Sequence, residues 1–334
     1  MNKLIVENFT LDCGKVLPLA EFGYQTYGTL NDDKSNVALV FHALTGNSEA
    51  VDWWNGIIGD GKIIDPKKHF ILCINFLGSC YGSTGPESND PETNRAYHEN
   101  FPVITTGDIA RQHLAILDSL GIDTVSLGIG GSMGGMILLE LATLKPNLFG
   151  KIIPISVAAS HSAWRLAFSS VIRKTIETFG KGFGEDGYKK GMHLARQIAM
   201  TSYRSSSEFD GRFGRDKNTN TFEIENYLEH QGEKIVARFS PFSYITLTRA
   251  MESYDIIDKI PKIESEVLFI GAISDILYAE EEIREISTRI PNARYKSLDA
   301  PFGHDSFLVA QENLAKLIHL FITTSVKQKQ EIFA

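Results

Sequence analysis

The chain has 334 residues, 43% hydrophobic and 22% charged, which is typical of a globular protein with one large core and an accessory domain. Its formal net charge of -8 gives no general attraction to phosphate backbones or anionic membranes, so nucleic acid and membrane surfaces are not expected partners. The first apolar run is three residues long and ends before Glu7, which predicts neither a secretory signal nor a membrane span, and the expected location is cytoplasmic.

The three cysteines, Cys13, Cys73 and Cys80, form an odd and scattered set that fits free thiols in a reducing compartment. No His-Glu-x-x-His or clustered Cys/His pattern occurs, so we expect no catalytic metal. Residues 56–62 have the spacing of a phosphate loop. Ile63 stands where a Ser or Thr would hold magnesium, however, and we expect no nucleotide site there.

The apolar pattern predicts two antiparallel strands at the start of the chain, followed by buried parallel strands that alternate with helices. In chain order the predicted elements are strands at 4–9, 19–27, 37–41 and 70–75, a helix at 109–120, a strand at 125–129, a helix at 136–142, strands at 151–156, 266–271 and 293–298, and a closing helix at 308–323.

Residues 161–254 have a different character, with helical patterns, polar turns and no convincing buried parallel strand. We interpret them as a helical lid inserted into a core formed by residues 1–160 and 255–334. The predicted fold class is α/β, with a mostly parallel sheet.

A serine stands where the strand at 125–129 breaks into the helix at 136–142. The sequence there is Gly130-Gly-Ser132-Met-Gly134, a Gly-x-Ser-x-Gly pattern in which the glycines leave room for a sharp turn. Such a turn lifts Ser132 above the sheet as a nucleophile and directs helix amides toward it. Taken alone, the pentapeptide is also compatible with ordinary packing.

Two ionisable residues follow later strands in the order that this nucleophile requires. Asp275 lies in the loop after 266–271, and His304 lies in the loop before the closing helix. The order Ser132, Asp275, His304 predicts a catalytic triad. Asp258 and Asp299 also lie near strand ends and remain candidates for the acid.

The loop at 42–46 leaves the carboxyl end of a core strand. In this architecture that loop supplies one amide for a tetrahedral oxyanion, and the residue after the nucleophile supplies the other. The predicted oxyanion hole is therefore formed by the backbone N–H groups of Leu44 and Met133.

Further motifs are spread over the core and the predicted lid. They are His42-Ala-Leu-Thr-Gly46, Leu77-Gly-Ser-Cys-Tyr-Gly-Ser-Thr-Gly-Pro86, Gly130-Gly-Ser-Met-Gly-Gly135, Tyr203-Arg-Ser205, Arg212-Phe-Gly-Arg215, Tyr227-Leu-Glu-His-Gln-Gly232, Ser274-Asp275 and Gly303-His-Asp305. Together they resemble the homoserine O-acyltransferases of methionine biosynthesis, which have the α/β-hydrolase fold and move an acyl group from coenzyme A to homoserine.

The resemblance implies Ser132 as nucleophile, His304 as base and Asp275 as the acid that orients it. It also implies that Arg204 and Asp305 grip the amino acid by its carboxylate and ammonium, on opposite sides of the reacting hydroxyl. Acetyl-CoA is the implied co-substrate, with no permanently bound cofactor.

The chain departs from the family pattern at Ser240 and Phe242, where Asp and Asn are usual, and over residues 174–187. Acetyl is the expected donor group, with succinyl and a serine acceptor left open. An esterase or thioesterase, and a non-catalytic interaction protein, are also compatible with the sequence. We further expect a homodimer formed through the helical insertion.

Overall fold

The computed structural model describes residues 1–323, so the last residues of the predicted 255–334 core segment lie outside the described part. An eight-stranded sheet has the order β1-β2-β4-β3-β7-β8-β11-β12, and two two-stranded pairs stand apart from it. The strands are β1 (Asn2–Thr10), β2 (Val16–Tyr27), β3 (Val37–Phe41), β4 (Phe70–Ile74), β5 (Asn89–Asp90), β6 (Arg95–Ala96), β7 (Val125–Gly131), β8 (Phe149–Ile155), β9 (Lys217–Asn218), β10 (Thr221–Phe222), β11 (Glu266–Ala272) and β12 (Ala293–Leu298).

The helices are α1 (Ala50–Trp53), α2 (Thr106–Ser119), α3 (Met133–Leu144), α4 (Ala163–Tyr203), α5 (Ser206–Phe213), α6 (Glu223–Val236), α7 (Pro241–Glu252), α8 (Glu280–Ser287), α9 (Ser306–Val309) and α10 (Gln311–Thr323), with 3-10 turns at His98–Asn100, Ile260–Lys262 and Gly303–Asp305. Among the described residues, no helix has the length and apolar character that crossing a membrane requires.

The sheet is antiparallel where β2 pairs with β1 and β4, and parallel from β4 to β12. Strand β3 is buried throughout: Leu39 and Phe41 belong to one core, and Ala38 and Val40 to the other. A parallel strand covered on both faces has to be apolar on both, which explains its continuous apolar run. The predicted mostly parallel α/β fold is confirmed.

Two helices begin three residues earlier than predicted. Helix α2 begins at Thr106 because Thr105 and Asp108 form a reciprocal capping box. Helix α3 begins at Met133, directly after Ser132, so the turn between strand and helix is a single residue.

The segment between β8 and β11 is helical apart from the short β9–β10 pair. Its first helix, α4, spans 41 residues and breaks at Gly184, where φ is 63° and ψ is -146°. That break lies within the 174–187 stretch that departs from the family pattern. The division into a core and a 161–254 lid domain stays a prediction.

Both single-residue departures are accommodated at the start of α7. Ser240 caps α7 by accepting the N–H groups of Phe242 and Ser243, a role that serine fills as well as aspartate. The Phe242 ring stacks on His98 at 4.4 Å and packs against Tyr188 at 4.5 Å. The contact with Tyr188 fastens α7 to the part of α4 that follows the Gly184 break, and the contact with His98 fastens it to the 3-10 turn His98–Asn100.

Candidate active site

Ser132 lies at the turn between β7 and α3 with φ of 54° and ψ of -123°, a strained conformation for a residue with a side chain. A Cβ atom at Gly134 would lie 2.4 Å from the carbonyl oxygen of Phe41, and one at Gly130 would lie 2.7 Å from the backbone of Gly134. Only glycine fits these two positions. The turn therefore has the geometry of a nucleophile elbow.

The structure brings the three predicted triad residues together. His304 Nδ1 lies 2.7 Å from Asp275 Oδ2, and His304 Nε2 lies 2.8 Å from Ser132 Oγ. Ser132, Asp275 and His304 are 7%, 5% and 5% exposed. Of the three candidate acids, the structure places Asp275, and neither Asp258 nor Asp299, against the imidazole.

The surroundings of the imidazole hold it in one orientation. Asp275 Oδ1 accepts the backbone N–H groups of Leu277 and Tyr278 at 2.8 and 3.1 Å. The Tyr278 ring stacks on His304, with centroids 5.2 Å apart and planes 22° apart. Burial alone lowers the pKa of His304, but the adjacent Asp275 carboxylate outweighs it, and the net result is a raised pKa. Asp275 therefore makes the imidazole a stronger base.

Replacement of Asp275 by asparagine removes that charge and should lower the pKa of His304. Because catalysis requires neutral His304, the acid limb of the pH profile of kcat/KM should move to lower pH. The activity should also fall by roughly 10³- to 10⁴-fold, as the base loses its orientation. Hydrolysis of p-nitrophenyl acetate between pH 5 and 9 measures both effects. An unchanged or upward-shifted acid limb would contradict the assignment of Asp275 to His304.

The two predicted oxyanion amides lie on separate elements that meet at Ser132. Met133 is the first residue of α3, so its N–H has no intrahelical acceptor. Leu44 follows β3 and lines a cavity together with Ser132. The helical insertion holds this loop, because Arg238 donates to the Thr45 carbonyl at 2.6 Å and to its hydroxyl at 3.1 Å. Two amides in these positions suit a tetrahedral oxyanion.

A cavity of about 300 Å³, called here the front cavity, opens at Ser132 and His304. Its charged lining residues are Arg196, Arg238 and Asp305. Two cations and one anion around a reacting serine suit a substrate that carries both signs of charge.

The structure places Arg204 next to Asp305 and outside the lining of the front cavity. Arg204 Nε lies 3.1 Å from Asp305 Oδ2, and its Nη1 lies 3.6 Å from Glu208 Oε1. The two side chains therefore form an ion pair, and the expectation that they flank the reacting hydroxyl of the substrate stays a prediction. Their roles in substrate binding stay predictions.

Sequence reasoning missed Arg196. Its guanidinium lies over the Tyr203 ring, 5.5 Å from the centroid, and it lines the front cavity. No carboxylate within residues 1–323 forms an ion pair with it. The signal that could have found Arg196 is its spacing: it precedes Tyr203 by seven residues, two helical turns, and so shares that helix face.

Within residues 1–323, no group of three or more His, Cys, Asp or Glu side chains is arranged to hold a metal ion. The residues gathered around Ser132 are those of acyl chemistry. A serine activated by a histidine can form a covalent ester and release it to an acceptor.

A family model described as alpha/beta hydrolase fold matches residues 37–311. A homoserine O-acetyltransferase from Chlorobaculum parvum is 41% identical over 324 residues, covering 92% of this chain and 90% of the relative. The crystal structure of a homoserine O-acetyltransferase from Bacillus anthracis matches with a TM-score of 0.90 and 23% identity, covering 97% of this chain and 98% of that one. Esterase E22 matches with a TM-score of 0.88 and 24% identity, covering 96% and 99%. At these identities the two structures show the fold alone. The chain belongs to the homoserine O-acetyltransferase family of the α/β hydrolases.

Proposed function

We propose that this protein transfers an acetyl group from acetyl-CoA to the hydroxyl of L-homoserine, a reaction of methionine biosynthesis. The observation that carries the proposal is the hydrogen-bonded Ser132–His304–Asp275 set at a cavity lined by two arginines and one aspartate. This combination provides a nucleophile together with a site for a zwitterionic acceptor. Family membership supports the choice of substrates.

In the first half-reaction His304 Nε2 accepts the proton of Ser132 Oγ, and Oγ attacks the thioester carbonyl carbon. The Leu44 and Met133 amides stabilise the oxyanion. The C–S bond then breaks, the proton passes from His304 to the departing thiolate, and an acetyl ester remains on Ser132.

In the second half-reaction His304 accepts the proton of the homoserine hydroxyl, whose oxygen attacks the acetyl ester. The same two amides stabilise the second tetrahedral intermediate. Collapse of that intermediate breaks the bond to Ser132 Oγ, which takes the proton back, and O-acetylhomoserine leaves. Two sequential transfers through one serine constitute a ping-pong mechanism.

The charges of the front cavity suit the acceptor. We propose that Arg196 holds the homoserine carboxylate and that Asp305 holds its ammonium, because both line the cavity beside His304. Arg204 then acts as a positioning residue, since its ion pair with Asp305 Oδ2 fixes that carboxylate. Arg238 is a second cation in the cavity and suits an anionic part of the donor.

Water is the competing acceptor, as in an esterase. Homoserine at ~1 mM competes with water at ~55 M for the acyl enzyme. For transfer to homoserine merely to equal hydrolysis in rate, its deacylation barrier has to be lower than that of water by roughly 6 kcal/mol. Helices α4 and α7 line the space around Ser132, and the ring centroids of Tyr203 and His304 lie 5.8 Å apart. A covered site with charges placed for an amino acid supplies that preference by positioning the acceptor and limiting water.

The test is a coenzyme A release assay that crosses acetyl-CoA and succinyl-CoA with L-homoserine and L-serine. We expect rapid release only with acetyl-CoA and homoserine together. Equal release with and without homoserine would indicate a thioesterase, and faster release with serine or succinyl-CoA would reassign the acceptor or the donor.

We also propose a homodimer that forms through the helical insertion. Helix α4 carries several exposed apolar side chains, which a second copy of the chain would cover. They are Trp164, Leu166, Val171, Phe183 and Leu194.

Light scattering at micromolar concentration should return twice the mass of one chain. Val171 and Phe183 are 54% and 70% exposed in the isolated subunit. Val171→Asp combined with Phe183→Asp would place two charges in the proposed interface, so this variant should return the mass of one chain. Val103→Asp is the matched control, because Val103 is 60% exposed and lies outside the helical insertion, between β6 and α2. A wild-type protein with the mass of one chain would contradict the proposal.

A further inference from the structure

The first turn of α4 donates two hydrogen bonds to the loop that follows Asp275. Trp164 Nε1 donates to the carbonyl oxygen of Ile276 at 2.8 Å. Arg165 Nη1 donates to the carbonyl oxygen of Leu277 at 3.0 Å. The helical insertion is therefore bonded directly to the backbone next to the triad acid.

Each of these carbonyl groups belongs to a peptide group that also holds Asp275. The Ile276 carbonyl and the Leu277 N–H form one planar group, and the Leu277 carbonyl and the Tyr278 N–H form the next. Both N–H groups donate to Asp275 Oδ1, at 2.8 and 3.1 Å. Both peptide bonds are trans, so C=O and N–H point in opposite directions. Each peptide group thus connects α4 on one side with the carboxylate on the other, and its rotation would break a hydrogen bond at both ends.

Arg165 is itself held in place by several contacts. Its side chain is 3% exposed, and its Nη1 and Nη2 lie 2.7 and 2.6 Å from the two carboxylate oxygens of Glu282. Nη2 also donates to the carbonyl oxygen of Ser160 at 2.8 Å. The guanidinium lies 4.5 Å from the centroid of the Tyr278 ring, which stacks on His304. A buried, planar group with two bonds at each terminal nitrogen is a rigid support for the loop that it contacts.

We propose that Arg165 and Trp164 are positioning residues for the triad acid, Asp275. Through the two peptide groups they hold its carboxylate in the orientation that His304 requires. A donor at each carbonyl also strengthens the N–H bonds to Oδ1, because hydrogen bonds in a chain polarise one another. Oδ2 is then directed to His304 Nδ1, 2.7 Å away. The inference rests on the proposed acyl chemistry of Ser132 and deepens it, because it makes the geometry of the triad depend on the first turn of α4.

The test is a double-mutant cycle with p-nitrophenyl acetate, in which kcat/KM is measured on its pH-independent plateau. Arg165→Met keeps most of the side-chain length but removes every donor, so kcat/KM should fall at least tenfold as the carboxylate loses its orientation. In the Asp275→Asn background the same substitution should lower kcat/KM less than twofold, because the group through which Arg165 acts is already lost. Equal factors in both backgrounds would indicate a general structural role and overturn the proposal. The ester requires neither coenzyme A nor homoserine, so that result is distinct from a failure of acetyl transfer to homoserine.

Arg173→Met is the matched control. Arg173 lies on the same helix, and its Nε and Nη2 bind the two carboxylate oxygens of Glu252 at 3.1 Å, while its Nη1 binds Glu177. This variant should keep kcat/KM within a fewfold of wild type. An equal loss in the control would overturn the proposal.

Trp164→Phe tests the second peptide group and decides the question if Arg165→Met does not fold. It removes one donor and keeps an aromatic ring at the proposed dimer interface. We expect kcat/KM to fall severalfold when Asp275 is present and to stay unchanged in the Asp275→Asn background. The same kcat/KM as wild type in Trp164→Phe would contradict the role of Trp164, and the same kcat/KM in both variants would overturn the proposal.

Discussion

Replacement of Ser132 by alanine should lower kcat/KM for acetyl transfer by about 10⁴-fold or more, because the variant lacks the oxygen that forms the acyl ester. The fold should remain, since alanine keeps the backbone geometry and removes one atom from a side chain that is 7% exposed. Steady-state coenzyme A release and the midpoint of thermal unfolding measure the two effects.

Ser156 provides a matched control for this prediction. Its side chain is also buried, it follows the neighbouring strand β8, and it too has a positive φ, 47°. Its Oγ has no hydrogen-bond partner among the described residues, whereas Ser132 Oγ is bonded to His304. Ser156→Ala should therefore keep kcat/KM within a fewfold of wild type.

A serine-reactive phosphonate should label wild type and the Ser156 variant but not Ser132→Ala. Absence of labelling in wild type would favour a non-catalytic protein.

Arg196→Ala and Asp305→Asn should impair the acceptor half-reaction and leave the acetylation of Ser132 largely intact. Each variant removes charged hydrogen bonds worth roughly 1.5–3 kcal/mol, so kcat/KM for homoserine should fall by about ten- to more than a hundredfold. Lysine at position 196 should not restore full activity, because a point charge does not reproduce the two-pronged contact of a guanidinium with a carboxylate. Pre-steady-state acylation by acetyl-CoA and steady-state transfer to homoserine separate the two halves.

Arg204→Ala tests which of the two arginines, Arg196 or Arg204, binds the homoserine carboxylate. If Arg204 positions Asp305 through their 3.1 Å contact, its loss should raise KM for homoserine less than the loss of Arg196. Arg249→Ala is the control, because Arg249 is a half-exposed lid arginine that pairs with Glu177 away from the front cavity. A larger effect at Arg204 than at Arg196 would restore Arg204 as the carboxylate ligand. Loss of acylation in the Arg196 variant would place that residue in the catalytic machinery.

The core was predictable because its signals are local. A parallel strand such as β3 has to be apolar on both faces, so it stands out as an unbroken run, and its predicted bounds of 37–41 agree with the structure. The elbow at Ser132 was equally predictable, since only glycine fits at Gly130 and Gly134. The order of residues along the fold then indicated Asp275 and His304.

The lid was less predictable because its contacts join distant segments. Arg196 and Arg204 lie eight residues apart in one stretch, and only the packing of α4 decides which of them reaches the front cavity. The break of α4 at Gly184 falls among Gly180, Gly182 and Gly187, and this cluster of glycines is the local signal that could have predicted it. A second, smaller cavity at Ser132 is lined jointly by the α4 and α7 helices and the loops after β8 and β11. No single motif in the sequence encodes it.

The ping-pong mechanism requires that acetyl resides on Ser132 between donor and acceptor. Rapid-quench intact-mass spectrometry of wild-type protein mixed with acetyl-CoA alone measures this directly. We predict a mass increase of one acetyl group that localises to Ser132, disappears when homoserine is added, and never forms in Ser132→Ala. Turnover of acetyl-CoA and homoserine without that adduct at any quench time would contradict the mechanism and require direct transfer between the two substrates.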